Sequence, residues 1–285
     1  MEHALRVSHV NKDYPGFSLK DISFELPRGS VMGLIGQNGA GKTTTLKAIL
    51  GLISSEGEIE ILGNVLEKEA ISEKDDIGVV FDEMNFYETL TPEKTGNIFN
   101  KIYKNWDMQQ YHEYLKQFNL PEKKEIKTFS KGMQVKLSLA VALSHHAKLL
   151  ILDEATSGLD PVMRDEILDI FLDFVQDEDH SVLVSSHITS DLEKIADYIT
   201  FIDHGEVLLS KPKDELIYEY GIARCRESQF LKMDQSEILT YRKQEYQYEV
   251  LVDKKEQIQR KYPEMVVDRA TLDEIMLLYI KGERK

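Results

Sequence analysis

The sequence is poor in cysteine and in long apolar runs. Its 285 residues include one cysteine, Cys225, which excludes a disulfide framework within the chain and suits a reducing compartment. The longest apolar runs, at 137–143 and 149–152, are far shorter than the roughly 20 residues that a membrane-spanning helix needs. Residues 1–6 carry no apolar core of a signal peptide. We expect a cytoplasmic protein that acts at a membrane, if at all, through another polypeptide.

Positive charge is also scarce. Lysine and arginine together number 35, against 50 aspartates and glutamates, which leaves a formal net charge of −15. This balance argues against a protein that wraps nucleic acid or binds anionic lipid by electrostatics alone. With 42% hydrophobic and 30% charged residues, the composition is typical of a globular protein, and the length favours two domains.

Residues 36–44 fit the pattern G-x-x-x-x-G-K-[ST] of a phosphate-binding loop. An apolar strand pattern, 31–35, precedes them, and an apolar helical pattern follows until Gly51. Glycines let the backbone curl so that several N–H groups point at one anion, and the start of the helix adds partial positive charge. Lys42 can reach the outer phosphates, and the Thr43 hydroxyl can bind Mg²⁺. We therefore predict a nucleoside triphosphate site formed by Gly36, Asn38, Gly39, Ala40, Gly41, Lys42, Thr43 and Thr44.

A second apolar strand pattern, 149–152, ends in two carboxylates, Asp153 and Glu154. Because the carboxyl ends of parallel strands meet at one edge of a sheet, we expect these carboxylates beside the phosphate loop. Asp153 is then placed to hold Mg²⁺, directly or through water, and Glu154 to orient or deprotonate an attacking water. The simpler alternative is a strand that ends in two solvated carboxylates.

Strand patterns alternate with helical patterns over most of the chain, which predicts an α/β fold with a mainly parallel sheet. Residues 92–146 are helical in character, with Thr91 as the expected N-cap, and suggest an inserted helical subdomain. From about residue 212 the alternation weakens. Short strand patterns and a helix-like stretch, 271–281, there suggest a small α+β appendage.

Two adjacent histidines, His145 and His146, could suggest a metal site. Neighbouring residues on a helix do not face the same point, so we expect both on the surface.

Residues 129–134, with the sequence Phe-Ser-Lys-Gly-Met-Gln, come just before a helix of small residues, 136–142. The Ser130 side chain, the Gly132 backbone and the helix N-terminus form a second corner suited to an anion. A plain N-cap turn is the alternative reading of this segment alone.

The segment resembles the signature motif of ABC-type ATPases, normally Leu-Ser-Gly-Gly-Gln, and lies where that family has it, upstream of the strand that ends in Asp153. Residues 157–160, ending in Asp160, resemble the family's D-loop. His187 resembles the switch histidine that contacts the γ-phosphate. Tyr14 lies where the family's A-loop aromatic stacks on adenine.

The resemblance covers about residues 3–212 and implies the fold of a P-loop NTPase of ABC type. The ATPase domain, 1–212, then contains an antiparallel β subdomain and an inserted helical subdomain at about 84–146, and 213–285 is a C-terminal accessory domain. The resemblance implies ATP and Mg²⁺ as cofactors. By likeness of motif, the catalytic residues are Glu154, His187 and Lys42, and the Mg²⁺ ligands are Thr43, Asp82 and Asp153.

The chain departs from the family pattern at two places. The family normally has Gln where this chain has Asp82, which puts the usual coupling of this loop to a permease in doubt. In the signature segment, Lys131 replaces a Gly and Met133 replaces the Gln, while Ser130 and Gly132 are kept. We expect ATP hydrolysis to persist with altered tuning.

The family resemblance also implies partners. Two ATPase subunits, identical or related, close head to tail, and Ser130 and Gly132 bind the ATP held by the other subunit. The variant signature and the appendage resemble the ATPases of bacterial ABC-2-type exporters, among them the phenol-soluble modulin and bacitracin exporters. A separate permease would hold the subunit at the inner face of the membrane. The alternatives are a non-transport ABC protein acting on ribosomes or DNA, and a P-loop kinase, which would leave Ser130 and His187 unexplained.

Overall fold

The computed structural model describes residues 3–65, 75–82 and 86–283. Up to the start of the helical segment, its elements are β1 (His3–Tyr14), β2 (Phe17–Pro27), β3 (Val31–Ile35), α1 (Lys42–Ile49), β4 (Glu56–Ile61), β5 (Asn64–Val65) and β6 (Ile77–Val80). Then follow α2 (Pro92–Phe99), α3 (Met108–Gln117), α4 (Lys131–Leu143), β7 (Leu149–Asp153), α5 (Pro161–Phe174), β8 (Ser181–Ser186), α6 (Thr189–Ile195), β9 (Tyr198–Asp203) and β10 (Glu206–Pro212). The C-terminal part contains α7 (Lys213–Tyr218), β11 (Gly221–Cys225), α8 (Glu227–Phe230), β12 (Thr240–Lys243), β13 (Tyr248–Val252), α9 (Lys255–Lys261), β14 (Val266–Arg269) and α10 (Leu272–Lys281).

The central sheet has six strands in the order β10-β9-β3-β8-β7-β6. All neighbouring pairs are parallel except β9 and β10, which form an antiparallel hairpin. Every residue of β3, β7 and β8 is buried, as expected for parallel strands covered on both faces. The predicted α/β class with a mainly parallel sheet is therefore confirmed, and the carboxyl ends of β3, β7 and β8 meet at one edge.

An antiparallel sheet in the order β2-β1-β4-β5 packs against one face of the central sheet. Its strands alternate between buried and exposed residues, so that Leu5, Ile22 and Leu26 enter the shared core with Leu34 and Ile151. Burying each of these side chains contributes about 1.5–3 kcal/mol. The core fixes the hairpin of β1 and β2 next to the phosphate-binding loop.

Helices α2, α3 and α4 form the segment between β6 and β7. Thr91 caps α2, with Pro92 as its first residue, as predicted. The buried Tyr111 of α3 donates a hydrogen bond from its hydroxyl to the Pro92 carbonyl (2.9 Å), and burial raises its pKa well above the usual range. This tie holds α3 against the start of α2.

The expectation that both histidines after α4 lie on the surface is wrong for His145. Its ring is buried and stacks on Tyr103 with ring centroids 4.0 Å apart, whereas His146 is exposed. His145 Nδ1 lies 2.8 Å from the Asp75 carbonyl oxygen, and burial lowers the pKa of the ring. Long-range packing, which local sequence does not encode, sets this environment.

The C-terminal segment forms a third, antiparallel sheet in the order β12-β13-β11-β14. The helix predicted at 271–281 is present as α10, and Thr271 and Glu274 form a capping box at its start. Leu272 and Ile275 of α10 share a buried cluster with Leu192 and Ile195 of α6. None of the described helices combines the length and apolarity needed to cross a membrane.

Candidate ATP-binding site

The phosphate-binding loop lies between the buried strand β3 and the first residue of α1. A Cβ atom on Gly36 would lie 2.4 Å from the Ile202 carbonyl oxygen, so only glycine fits there. Gly41, directly before α1, has φ of 114°, a backbone conformation that favours glycine. Strand, loop and helix are therefore arranged as the motif requires, with the positive end of α1 facing the loop.

Lys42 is 5% exposed, and its ammonium group is compensated within the chain. Its Nζ donates a hydrogen bond to the Gly36 carbonyl oxygen (2.6 Å) and lies 3.0 Å from Glu154 Oε1. A buried cation needs such partners because its desolvation is costly. The lysine is thus held at the wall of a cavity of about 610 Å³, where it can contact an anion.

Asp153 is the last residue of β7 and is also buried. Its carboxylate accepts hydrogen bonds from Ser185 Oγ (2.6 Å) and Thr43 Oγ1 (2.8 Å). Asp82 lines the same cavity as Thr43 and Asp153. Hard oxygen donors of this kind suit Mg²⁺, which usually takes one or two carboxylates and completes its shell with water and phosphate. Among the described residues, no group of three or more His, Cys, Asp or Glu side chains is arranged to hold a metal by itself.

Glu154 lies between Lys42 and His187. One carboxylate oxygen faces Lys42, and the other lies 2.7 Å from Nδ1 of His187. The residue has φ of 52°, a strained conformation for a residue other than glycine, held by hydrogen bonds from its N–H to Ser185. The order of the strands β3, β7 and β8 brings these three side chains together from positions more than 30 residues apart.

The signature segment is only partly accessible. Ser130 is exposed and caps α4, where its hydroxyl oxygen accepts a hydrogen bond from the Met133 N–H (3.3 Å). Gly132 is buried, and a Cβ there would lie 3.0 Å from Met163 Cγ. Of the predicted pair, Ser130 therefore faces outward, and the Met163 side chain covers Gly132.

The two positions at which the sequence departs from the family pattern touch each other. Lys131 Nζ lies 2.7 Å from Asp82 Oδ1, although 48 residues separate them in the chain. Nearby, Asp160 of the predicted D-loop caps α5 by accepting hydrogen bonds from the N–H groups of Val162 and Met163. The sequence did not predict the first contact, since no local pattern joins the two positions.

The predicted contact of Tyr14 with adenine stays a prediction. Phe17 lines the cavity among the described residues, whereas Tyr14 does not and is 41% exposed, with Lys12 Nζ 5.3 Å from its ring centroid. Tyr14 and Phe17 are direct partners across the hairpin of β1 and β2. Phe17 was not among the predicted site residues, although its position directly after the turn at 15–16 could have indicated it.

Comparison with known proteins decides the family. The ABC transporter family model matches residues 19–157. Over 224 residues the chain is 34% identical to the uncharacterized ABC transporter ATP-binding protein YhcH of Bacillus subtilis (strain 168), covering 77% of this chain and 73% of that protein. The chain belongs to the ABC transporter ATP-binding proteins. It is also 35% identical over 202 residues to the bacitracin transport ATP-binding protein BcrA of Bacillus licheniformis, covering 70% and 66% of the two chains.

The solved structure of an ATP-binding subunit of an ABC transporter has the same fold, with a TM-score of 0.66 and 28% identity over 75% of this chain and 91% of that one. This ABC protein is an ATPase subunit, so the predicted family, fold class and enzyme class are confirmed. Two larger cavities, of 990 and 1010 Å³, contain none of the predicted site residues. The residues predicted to bind the phosphates instead line the smaller cavity, where the phosphate-binding loop meets the carboxylates.

Proposed function

We propose that this chain is the ATP-hydrolysing subunit of an exporter whose membrane-spanning permease, of ABC-2 type, is a separate polypeptide. The similarity to the bacitracin transport protein supports export of a peptide or antibiotic. The observation that carries the ATPase part is the convergence of Lys42, Glu154 and His187 at one cavity. The proposal also divides the chain into an ATPase domain, 1–212, and an accessory domain, 213–285. This boundary is supported by the edge strand β10 of the central sheet, which ends at Pro212.

ATP would bind with its phosphates at 36–44, against the N–H groups of the loop and the Lys42 ammonium. Thr43, Asp153 and Asp82 would hold Mg²⁺, which would neutralise phosphate charge. Arrival of the phosphates draws Lys42 away from Glu154, because both anions compete for one ammonium group. Glu154 is then a free base beside the outer phosphate.

In the hydrolysis step, Glu154 orients a water and accepts its proton as the oxygen bonds to the γ-phosphorus and ADP departs. His187, on the far side of the Glu154 carboxylate, contacts the γ-phosphate and keeps Glu154 in position. Tyr14 and Phe17 flank the side of the loop at which the adenine base would lie.

Two copies would close head to tail, since each chain carries both a phosphate-binding loop and a signature segment. Ser130 would then donate its O–H to the triphosphate held by the second copy, supported by its exposure at the N-terminus of α4. Gly132 would add its backbone after Met163 moves, and Asp160 lies near the same face through its cap of α5.

Trapping of the closed dimer tests this proposal. Glu154→Gln keeps the size of the side chain but removes the base, so ATP should bind without being hydrolysed. At saturating ATP we expect light scattering after size exclusion to give twice the monomer mass, and the monomer mass without nucleotide. A Glu154→Gln protein that stays monomeric at saturating ATP would contradict the composite site.

Co-purification from native membranes tests the transport part. An ABC-2-type permease should remain bound to the chain in mild detergent and place it on the cytoplasmic face of the membrane. Ribosomes or DNA in place of a permease would overturn the exporter assignment.

A further inference from the structure

The contact between Lys131 and Asp82 links two parts of the nucleotide machinery. Asp82 follows β6 and lines the cavity of the phosphate-binding loop. Lys131 is the first residue of α4 and follows Ser130 directly. The two side chains are 41% and 46% exposed, so the pair lies at the surface, where either group can change its partner.

Lys131 also lies close to the predicted D-loop of its own chain. A Cβ on Gly158, in the predicted D-loop, would lie 3.6 Å from Lys131 Nζ. The ammonium group therefore lies between the cavity loop and the D-loop, close to the N-terminus of α4. In the proposed head-to-tail dimer, this part of the surface would meet the second copy.

We propose that Lys131 is a phosphate-binding cation with two alternative partners, the Asp82 carboxylate of its own subunit and the outer phosphate of the ATP held by the other subunit. This inference rests on the proposed head-to-tail dimer. It adds a full positive charge to a corner where Ser130 and the helix N-terminus otherwise supply only dipoles.

Competition for Asp82 makes the choice of partner depend on nucleotide. A Mg²⁺ ion held at Asp82 repels the Lys131 ammonium, because the two cations have the same sign and share one carboxylate. MgATP in one subunit thereby releases that subunit's Lys131 toward the neighbouring site. Each site would strengthen the other, a positive coupling between two binding events.

Dimer dissociation constants in the Glu154→Gln background test both halves of the inference. With MgATP, Lys131→Met should raise the constant about tenfold, since it removes a charged contact to phosphate. With ATP and EDTA, Asp82→Asn should lower the constant about two- to fivefold, because it frees Lys131 without Mg²⁺. The double variant should behave like Lys131→Met alone.

Lys127→Met is the matched control. Lys127 is an exposed lysine near the signature segment that pairs with Glu125 rather than with Asp82. The Lys127→Met substitution should leave the dimer dissociation constant within about twofold of that of the Glu154→Gln parent, because an exposed ion pair contributes little.

A measurement on single subunits separates competition from dimerisation. The measurement uses protein that keeps Lys42 and is diluted until it is monomeric. In this protein, Lys131→Met should lower by about two- to fivefold the Mg²⁺ concentration at which binding of a fluorescent ATP analogue is half-saturated. An unchanged Mg²⁺ requirement would contradict the competition for Asp82.

Two results would overturn the inference. In the first, Lys131→Met and Asp82→Asn change the dimer dissociation constant in the same direction, as expected if the ion pair only stabilises the fold. In the second, the Lys131→Met protein dimerises like the Lys127→Met control. If the Glu154→Gln parent itself fails to dimerise, the proposed function fails and this inference falls with it, so the two failures are distinguishable.

Discussion

The two halves of the proposed nucleotide site differ in how their charges are balanced. At the phosphate-binding loop, Lys42 and Asp153 are buried and Glu154 is 13% exposed, and each has its polar partners within the chain. At the signature segment, Ser130 and Lys131 are exposed at the start of a helix. The first half is complete within one chain, whereas the second presents donors to a surface. This difference is what a site shared between two subunits requires.

Removal of the buried cation should have the largest effect. Lys42→Ala would leave Glu154 and the carbonyl oxygens of the loop without their positive partner and the triphosphate without its main cation. We expect ATP turnover to fall at least about a hundredfold, the scale of losing one main electrostatic contact to the reacting group. Lys47→Ala, at an exposed position of the same helix, is the control for helix stability. Equal activities of the two variants would remove the assigned role of Lys42.

The aromatic pair allows a second test of the buried half. Phe17→Ala should raise the dissociation constant for a fluorescent ATP analogue about tenfold, in line with a stacking contribution of about 1–3 kcal/mol per base. Tyr14→Ala should have the smaller effect, because Tyr14 lies outside the cavity among the described residues. The reverse order, with the larger loss for Tyr14→Ala, would support the predicted A-loop role of Tyr14 and contradict a main stacking role for Phe17.

The stability of the fold should depend weakly on pH through His145, which follows the C-terminal end of α4. Burial lowers the pKa of His145 below its ordinary value of 6.5, so the unfolded chain binds more protons there than the folded chain does. This group's contribution to stability is therefore complete above about pH 6.5 and is lost as the pH falls toward the lower folded-state pKa.

Urea unfolding at pH 7.5, 6.5 and 5.5 tests this. His145→Asn should lose stability less steeply with acid than the parent, whereas His146→Asn, at an exposed position, should match the parent's slope. Parallel slopes for all three proteins would show that His145 does not titrate as described.

Contiguous motifs explain what was predictable from the sequence. The loop 36–44 and the pair Asp153-Glu154 each lie within one short segment, so spacing alone placed them at the ends of β3 and β7. The N-cap at Thr91 and the helix after Thr271 were predictable for the same reason, because caps act over three or four residues.

Contacts between distant segments explain what was not predictable. The Lys131–Asp82 pair, the cover of Met163 over Gly132 and the burial of His145 under Tyr103 each depend on tertiary packing. No periodicity within a single element encodes such contacts. In the C-terminal segment the short helices α8 and α9 carried too weak a pattern to be predicted.

Complementation between two inactive variants tests the shared site most directly. Lys42→Ala destroys the phosphate-binding half, and Ser130→Glu places a repelling charge in the signature half. Mixed in equal amounts, they should recover roughly a quarter of the parent's ATP turnover, because half the dimers are mixed and each of these has one intact site. A mixture no more active than its two components would contradict the account.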